Sequence, residues 1–251
     1  MNAQQAPTLG PPPAADLIAE HRRVWQRKPG LRAVYSHWFR SVHERCGPGS
    51  IVEIGCGPGF FKETFPDVIA TDVVATPYAE HIVDAAALPF ADGAVGNLVL
   101  IDVFHHIPEP ARFLREAERV LARGGRLVMI EPWVGRAGTV LWRFLHHEHF
   151  DPAVDPARPW GGADKDPMTG NTALPYLYFR PGGYVERLGL DLRVVERRPF
   201  AGLPWILTLG FQPRTLLPGA LAGAAEAVDR FLSRAPAWTA TRCLLTIECA
   251  R

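Results

Sequence analysis

Residues 51–59 read IVEIGCGPG. A short apolar run carrying Glu53 gives way to glycines at 55, 57 and 59, the pattern of a buried strand that stops in a turn where main chain approaches a ligand. Glycine takes positive φ without strain and, having no Cβ, lets a ligand lie directly on the backbone. The spacing separates this turn from two others. A dinucleotide fingerprint wants its third glycine at position 60, where the chain has Phe60. The Walker loop wants Gly-Lys-Ser/Thr, and none follows. A tight turn with no ligand would explain one or two of the glycines but not the acids that come next.

The run VIAT at 68–71 is short and ends at Asp72, which puts a carboxylate at the carboxyl end of a second strand, the edge at which parallel sheets bind ligands. A carboxylate there accepts hydrogen bonds from both hydroxyls of a ribose and repels a 2′-phosphate, so an unphosphorylated nucleoside is expected and NADP is not. Asp84 ends the run HIVD and precedes AAALPF, suited to an adenine amino group beside an apolar slot for the ring. Each aspartate is also a turn former or helix cap in its own right.

VEIGCGPG, ATDVV, VDAAALPFADGAVGNLVLIDVFHHIPEP and RVLARGGRLVMIEP, in register over about residues 50–131, resemble the successive motifs of class I S-adenosylmethionine-dependent methyltransferases. The likeness is greatest to the small-molecule branch that includes the ubiquinone and menaquinone methyltransferases. It implies S-adenosylmethionine as cofactor and S-adenosylhomocysteine as product. Glu53 with the backbone of Gly55, Cys56 and Gly57 would hold the methionine end and Asp72 the ribose, while Asp84 and Ala85 would meet the adenine. Gly59, Val73 and Asp102 complete the expected cofactor wall. The chain departs from the family in one respect: only about a dozen residues separate Gly59 from Asp72, so the first helix, FFKETF, is roughly two turns short.

At 251 residues and a net charge of +1, the chain is long enough for one α/β domain, and neither a polyanionic partner nor nucleic acid is expected. The cysteines at 46, 56, 243 and 249 have neither zinc spacing nor a secreted framework, which fits a reducing cytoplasm. Residues 1–15 read as a disordered tail without the features of a signal peptide. From Asp16, a candidate N-cap, ADLIAEHRRVWQRK and then LRAVYSHWFRSVHERC have helical periodicity on either side of Pro29-Gly30. In the resembling family such helices often close over the cofactor, which would make Trp25, Tyr35, Trp38 and Phe39 lid or substrate-wall candidates. The other reading is ordinary packing on the sheet.

GNLVLI (96–101), the helix PARFLREAERVLARGG and RLVMIE (126–131) continue the alternation. They predict a doubly wound, mostly parallel seven-stranded sheet with helices on both faces. LDLRVVERRPF (190–200) and RCLLTIECA (242–250) complete it, the last strand antiparallel by resemblance. One methyltransferase domain is expected over 16–251, with its cofactor core at 50–131 and a substrate-side cover at 132–189. Between the last two strands lies an apolar insert, residues 201–241, interrupted by Pro204, Gln212, Pro213, Arg214 and Pro218 before any continuous span of about 20 residues. It is read as a cap on the sheet, a cover for a hydrophobic substrate, a dimer contact or a peripheral contact with the inner face of a membrane. The oligomeric state is not written in the sequence.

Methyl transfer from a sulfonium needs alignment of nucleophile, methyl and sulfur, and a base only if the acceptor is a hydroxyl or phenol. His105 or His106, after the fourth strand, is the expected base if there is one, and their alternative is to hold the loop in place. Asp102 is read as shaping the cofactor pocket. Glu131 either faces the acceptor or caps the segment that follows. Tyr176, Tyr178, Phe179 and Arg180 are candidates for aromatic walls and an anion contact, or for a helix entry packed on the core. No metal is expected, because HHEH (146–149) lacks the i, i+4 histidine pair and adjacent helical histidines point about 100 degrees apart.

The function these residues imply is methyl transfer to a small, apolar or lipid-like acceptor, at oxygen or carbon before nitrogen. The alternative is a noncatalytic nucleoside-binding module that contacts a membrane or protein through the insert.

Overall fold

The computed structural model describes residues 14–161 and 165–251, and side chains from residue 16. The expected tail therefore falls outside the described residues except for Ala14 and Ala15, which already belong to the first helix. Asp16 lies in that helix's first turn and is not its cap.

Two helices, α1 (Ala14–Arg27) and α2 (Pro29–His43), lead into β1 (Ile51–Ile54), the short α3 (Phe60–Thr64), β2 (Ile69–Asp72), β3 (His81–Ile82) and β4 (Val95–Ile101). There follow α4 (Pro110–Val120), β5 (Leu121–Pro132), α5 (Arg136–Val140), α6 (Leu174–Phe179), β6 (Leu192–Phe200), α7 (Leu203–Thr208), α8 (Ala222–Leu232), α9 (Pro236–Thr239) and β7 (Arg242–Cys249). The sheet runs β3-β2-β1-β4-β5-β7-β6. Strands β3, β2, β1, β4 and β5 are mutually parallel, and β7 lies antiparallel to both β5 and β6. Consecutive strands run outward from β1 in one direction through β2 and in the other from β4, so the strand order reverses between β1 and β4. In open α/β sheets ligands bind at the carboxyl edge of such a reversal.

Six of the seven residues of β4 are buried, which requires cover on both faces and explains its unbroken apolar run. One face packs against α4 and α6 through Phe104, Phe113, Leu114, Tyr178 and Phe179. The other packs against α1, α2 and the insert through Leu31, Trp38, Phe39, Trp142 and Trp205. Trp25, Tyr35, Trp38 and Phe39 belong to or pack on this second core, the plainer of the two readings of their spacing.

α4 ends at Val120, before the glycines at 124 and 125 expected to stop it. Leu121 turns to extended backbone, is buried and pairs with Val95 of β4, so strand pairing overrides the local helical pattern. The insert folds as α7, α8 and α9 against α2 and the sheet, the cap among the alternatives weighed for it. Lys28, buried between α1 and α2, ties it down. Its ammonium donates to the carbonyls of Thr208, Gly210, Gln212 and Arg214, four acceptors for three N–H bonds at the end of α7 and in the loop that follows. Among the described residues no helix is long and apolar enough to cross a membrane.

Candidate active site

At the carboxyl edge each of four parallel strands supplies an acid: Glu53 in β1, Asp72 at the end of β2, Asp102 just after β4 and Glu131 in β5. Three are answered by the protein. Asp72 accepts the Gly57 N–H at 2.8 Å and the Val74 N–H at 3.0 Å. Asp102, at φ 58°, pairs with the guanidinium of Arg242. Glu131 accepts the N–H groups of Val103 at 2.8 Å and Phe104 at 2.7 Å, together with His105 Nδ1 at 2.7 Å. Glu53 differs. Its Oε2 is buried with no hydrogen-bond partner among the described residues, and burial, then the nearby Asp72, push its carboxyl up to about 8.

The glycine turn brings main chain to this unanswered acid. Gly55 (φ 72°) lies so close to Val103 that a Cβ would meet its side chain at 2.7 Å, which locks the turn to the loop after β4. At Gly57 (φ 49°) a Cβ would meet nothing within 4 Å, so backbone there borders open space. Cys56 is buried, and its N–H donates to Thr71 O at 2.8 Å. Gly59 opens α3 from a left-handed conformation. The first helix leans over this turn: Arg22 donates to Pro58 O at 2.6 Å with its guanidinium 4.5 Å from the Tyr78 ring, and Trp25 stacks on Phe60 at 4.0 Å. Asp84 is exposed and accepts the Ala86 N–H at 2.8 Å in a local turn; Ala85 is half-buried and Val73 exposed.

Beyond Asp102 a single 3₁₀ turn, Phe104–His106, sets two imidazoles side by side with centroids 4.2 Å apart. His105 is buried and held at both nitrogens, by Glu131 and by Glu148 Oε2 at 3.1 Å. Burial alone would lower its affinity for a proton, but Glu148 and Glu131 outweigh that and raise the imidazole to about 10. His105 thus stands as a clamped cation with neither nitrogen free to take a proton from an acceptor. His106, by burial and then the charge of His105, is pushed down to about 3, and its Nδ1 is buried without a partner. Arg242 is buried beneath an aromatic cluster, 4.0 Å from the Trp205 ring, 5.2 Å from Trp142 and 5.3 Å from Trp38.

Tyr178 and Phe179 are not substrate walls: they are fully buried, with both rings against Phe104 and the Tyr178 hydroxyl donating to Pro156 O at 2.7 Å. Arg180 is exposed, its guanidinium 5.5 Å from the Tyr176 ring.

Residues 52–129 match the family model described as a methyltransferase domain. The fold around them agrees: a SAM-dependent methyltransferase from Thermotoga maritima superposes with a TM-score of 0.54 at 16% identity, covering 93% of this chain and 97% of that one. Residues 52–129 are thus similar in sequence to a methyltransferase domain, and the fold around them is that of methyltransferases. In sequence this domain is similar to a protein of Mycolicibacterium smegmatis named a probable S-adenosylmethionine-dependent methyltransferase, 32% identical over 41% of this chain and 48% of that one. A demethylmenaquinone methyltransferase of Renibacterium salmoninarum is 30% identical over 43% and 54%. The chain thus spans about half the length of the curated relatives it matches. Geranyl diphosphate C-methyltransferase from Streptomyces coelicolor, solved with Mg²⁺, geranyl-S-thiolodiphosphate and S-adenosylhomocysteine, shares the fold with a TM-score of 0.51 at 14% identity, over 85% of this chain and 76% of that one.

Outside the domain, sequence reading does not find Arg242 as a site residue, because its partner Asp102 lies 140 positions away. Glu148 is visible only as part of a histidine-rich run, and nothing local pairs it with His105. The inward turn of Glu131 makes a stability prediction. Glu131→Ala leaves two amides and one nitrogen of a buried imidazole unanswered and is expected to cost about 3 kcal/mol, read as a lower urea midpoint. A midpoint equal to that of the parent would contradict the staple.

Proposed function

We propose that the protein is an S-adenosylmethionine-dependent methyltransferase acting on a small, apolar or lipid-like acceptor, at oxygen or carbon before nitrogen. The observation that carries the cofactor half is the unpartnered Glu53 Oε2 beside the open backbone of Gly57. A buried carboxylate without a donor is costly, and the ammonium of an amino-acid tail answers it. Glu53 and the backbone of Gly55, Cys56 and Gly57 hold that tail. The side-chain oxygens of Asp72 take the ribose hydroxyls, Asp84 with Ala85 takes the adenine, and Cys56, Gly59, Val73 and Asp102 form the wall around them. The bound cofactor supplies an activated methyl group. The chain's own residues align the acceptor and exclude water.

The apolar acceptor is supported by exposed surface: Phe144 and Leu145, just after α5, are 71% and 74% exposed, and Phe231 and Trp238, in the insert, 66% and 59%. Arg136 lies 3.7 Å over Trp238, and Arg143 and Arg234 each lie 5.8 Å from Phe144 and Phe231. Aromatic tips beside guanidinium groups suit the headgroup layer of an anionic bilayer, so peripheral membrane contact belongs to this reading.

Three experiments follow from it. The unligated Glu53 keeps its proton up to about pH 8, whereas the ligand ammonium favours the carboxylate, so binding expels a proton. The affinity of S-adenosylhomocysteine, measured by calorimetry, should therefore rise by up to about tenfold per pH unit below about pH 8 and flatten above it. Glu53→Gln should remove the slope, and a parallel slope in the variant would contradict the assignment. Methyl-labelled cofactor incubated with the protein and a cell extract should deliver label to the organic-soluble fraction. Label in the aqueous fraction alone overturns the apolar acceptor, and binding without any transfer favours the noncatalytic module. Flotation with vesicles containing anionic lipid should carry the protein upward, with loss in high salt; no co-flotation removes the membrane contact.

A further inference from the structure

We propose that His105, His106 and Glu148 form a zinc-class divalent metal site on the acceptor side of the domain. One ligand atom from each, a ring nitrogen from each histidine and a carboxylate oxygen, lies within 4.8 Å of the others. His105 Nε2 is 3.1 Å from Glu148 Oε2, and His106 Nε2 is 3.9 Å from Glu148 Oε1. Around a tetrahedral ion with bonds of about 2.0–2.2 Å, neighbouring ligand atoms stand roughly 3.4 Å apart. The three side chains therefore need only small adjustments to close on one ion.

The surroundings are those of a metal ligand set. Glu131 accepts the Nδ1–H of His105, which leaves Nε2 as the donor atom aimed at Glu148, the carboxylate–histidine support that metal-binding imidazoles commonly carry. His106 turns Nε2 toward Glu148, while its Nδ1 lies on the other side of the ring against Gly170. Gly170 closes over both rings so tightly that a Cβ would lie 2.6 Å from His105 Cδ2 and 3.0 Å from His106 Nδ1. Backbone bonds pin the same loop, from Asn171 N–H to His105 O at 2.9 Å and from Lys165 Nζ to His106 O at 2.8 Å.

Two imidazoles and one carboxylate select zinc-class ions over calcium or magnesium, which prefer all-oxygen shells. Three protein ligands leave a fourth position for water or an acceptor oxygen. A coordinated acceptor hydroxyl releases its proton to solvent more readily, which supplies the activation that the clamped His105 cannot give as a base. His146 stays outside the set, because its Nδ1 accepts the Glu148 N–H at 3.3 Å.

The acceptor role rests on the methyltransferase reading, whereas metal binding does not. The test uses the full chain stripped with chelator and titrated with zinc sulfate, with cobalt as a spectroscopic substitute. One zinc per chain and visible d–d bands of tetrahedral cobalt are expected. Glu148→Gln and His106→Gln should each weaken zinc by more than about 100-fold while the circular dichroism spectrum is retained, and His147→Ala, in the exposed neighbour, should leave it unchanged. Absence of stoichiometric zinc, or equal affinity in Glu148→Gln, overturns the site. Calorimetry with S-adenosylhomocysteine on the same samples separates the two ideas: zinc bound without the nucleoside sustains the metal site and sinks the methyltransferase reading, and the nucleoside bound without zinc does the reverse.

Discussion

Four carboxylates crowd one edge of one sheet, and an edge so acidic holds together only where each charge is answered. Asp72 is answered by backbone amides, Asp102 by Arg242, and Glu131 by two amides and an imidazole. Glu53 is left with a buried oxygen and no donor. The rest of the site follows from this imbalance. The glycine turn passes beside the acid that lacks a partner, Val103 packs into Gly55 to hold the turn in place, and Glu131 holds Val103. The stability of the loop after β4 and the shape of the nucleoside cleft are thus one network.

Much of this was legible in the sequence because it is local. A strand ending in a glycine turn, an acid closing the next strand and the regular alternation of strand and helix each occupy a few consecutive residues. The short α3 follows from the spacing between Gly59 and Asp72, and the insert from the distance between the last two strand patterns. What escaped is what tertiary pairing decides. α4 stops at Val120 because Leu121 pairs with Val95, not because of any local stop signal. Tyr178 and Phe179 turn into the core because Phe104 offers them edges, although their sequence equally suits a substrate wall. Whether Glu131 faces outward or inward cannot be read from one strand, since its partners sit on another.

The two sides of the edge differ in kind. On the β1–β2 side the edge consists of the glycine-turn main chain and two acids, Glu53 and Asp72. On the β4–β5 side, by contrast, Arg242 packs under three tryptophans and a histidine pair faces Glu148. These come from the cover after β5, the insert and the last strand, the parts outside residues 52–129. The exposed aromatic and arginine surface lies on the same chain segments.

The account stands on a nucleoside with a cationic tail seated against the glycine turn. Amide spectra of ¹⁵N-labelled protein titrated with S-adenosylhomocysteine read that contact directly. The account predicts saturable shifts at Gly55, Gly57, Asp72 and Ala85, with Gly57 moving because its N–H is bonded to the Asp72 carboxylate. Unchanged amides at these positions under saturating ligand, or shifts confined to another face of the sheet, would contradict it.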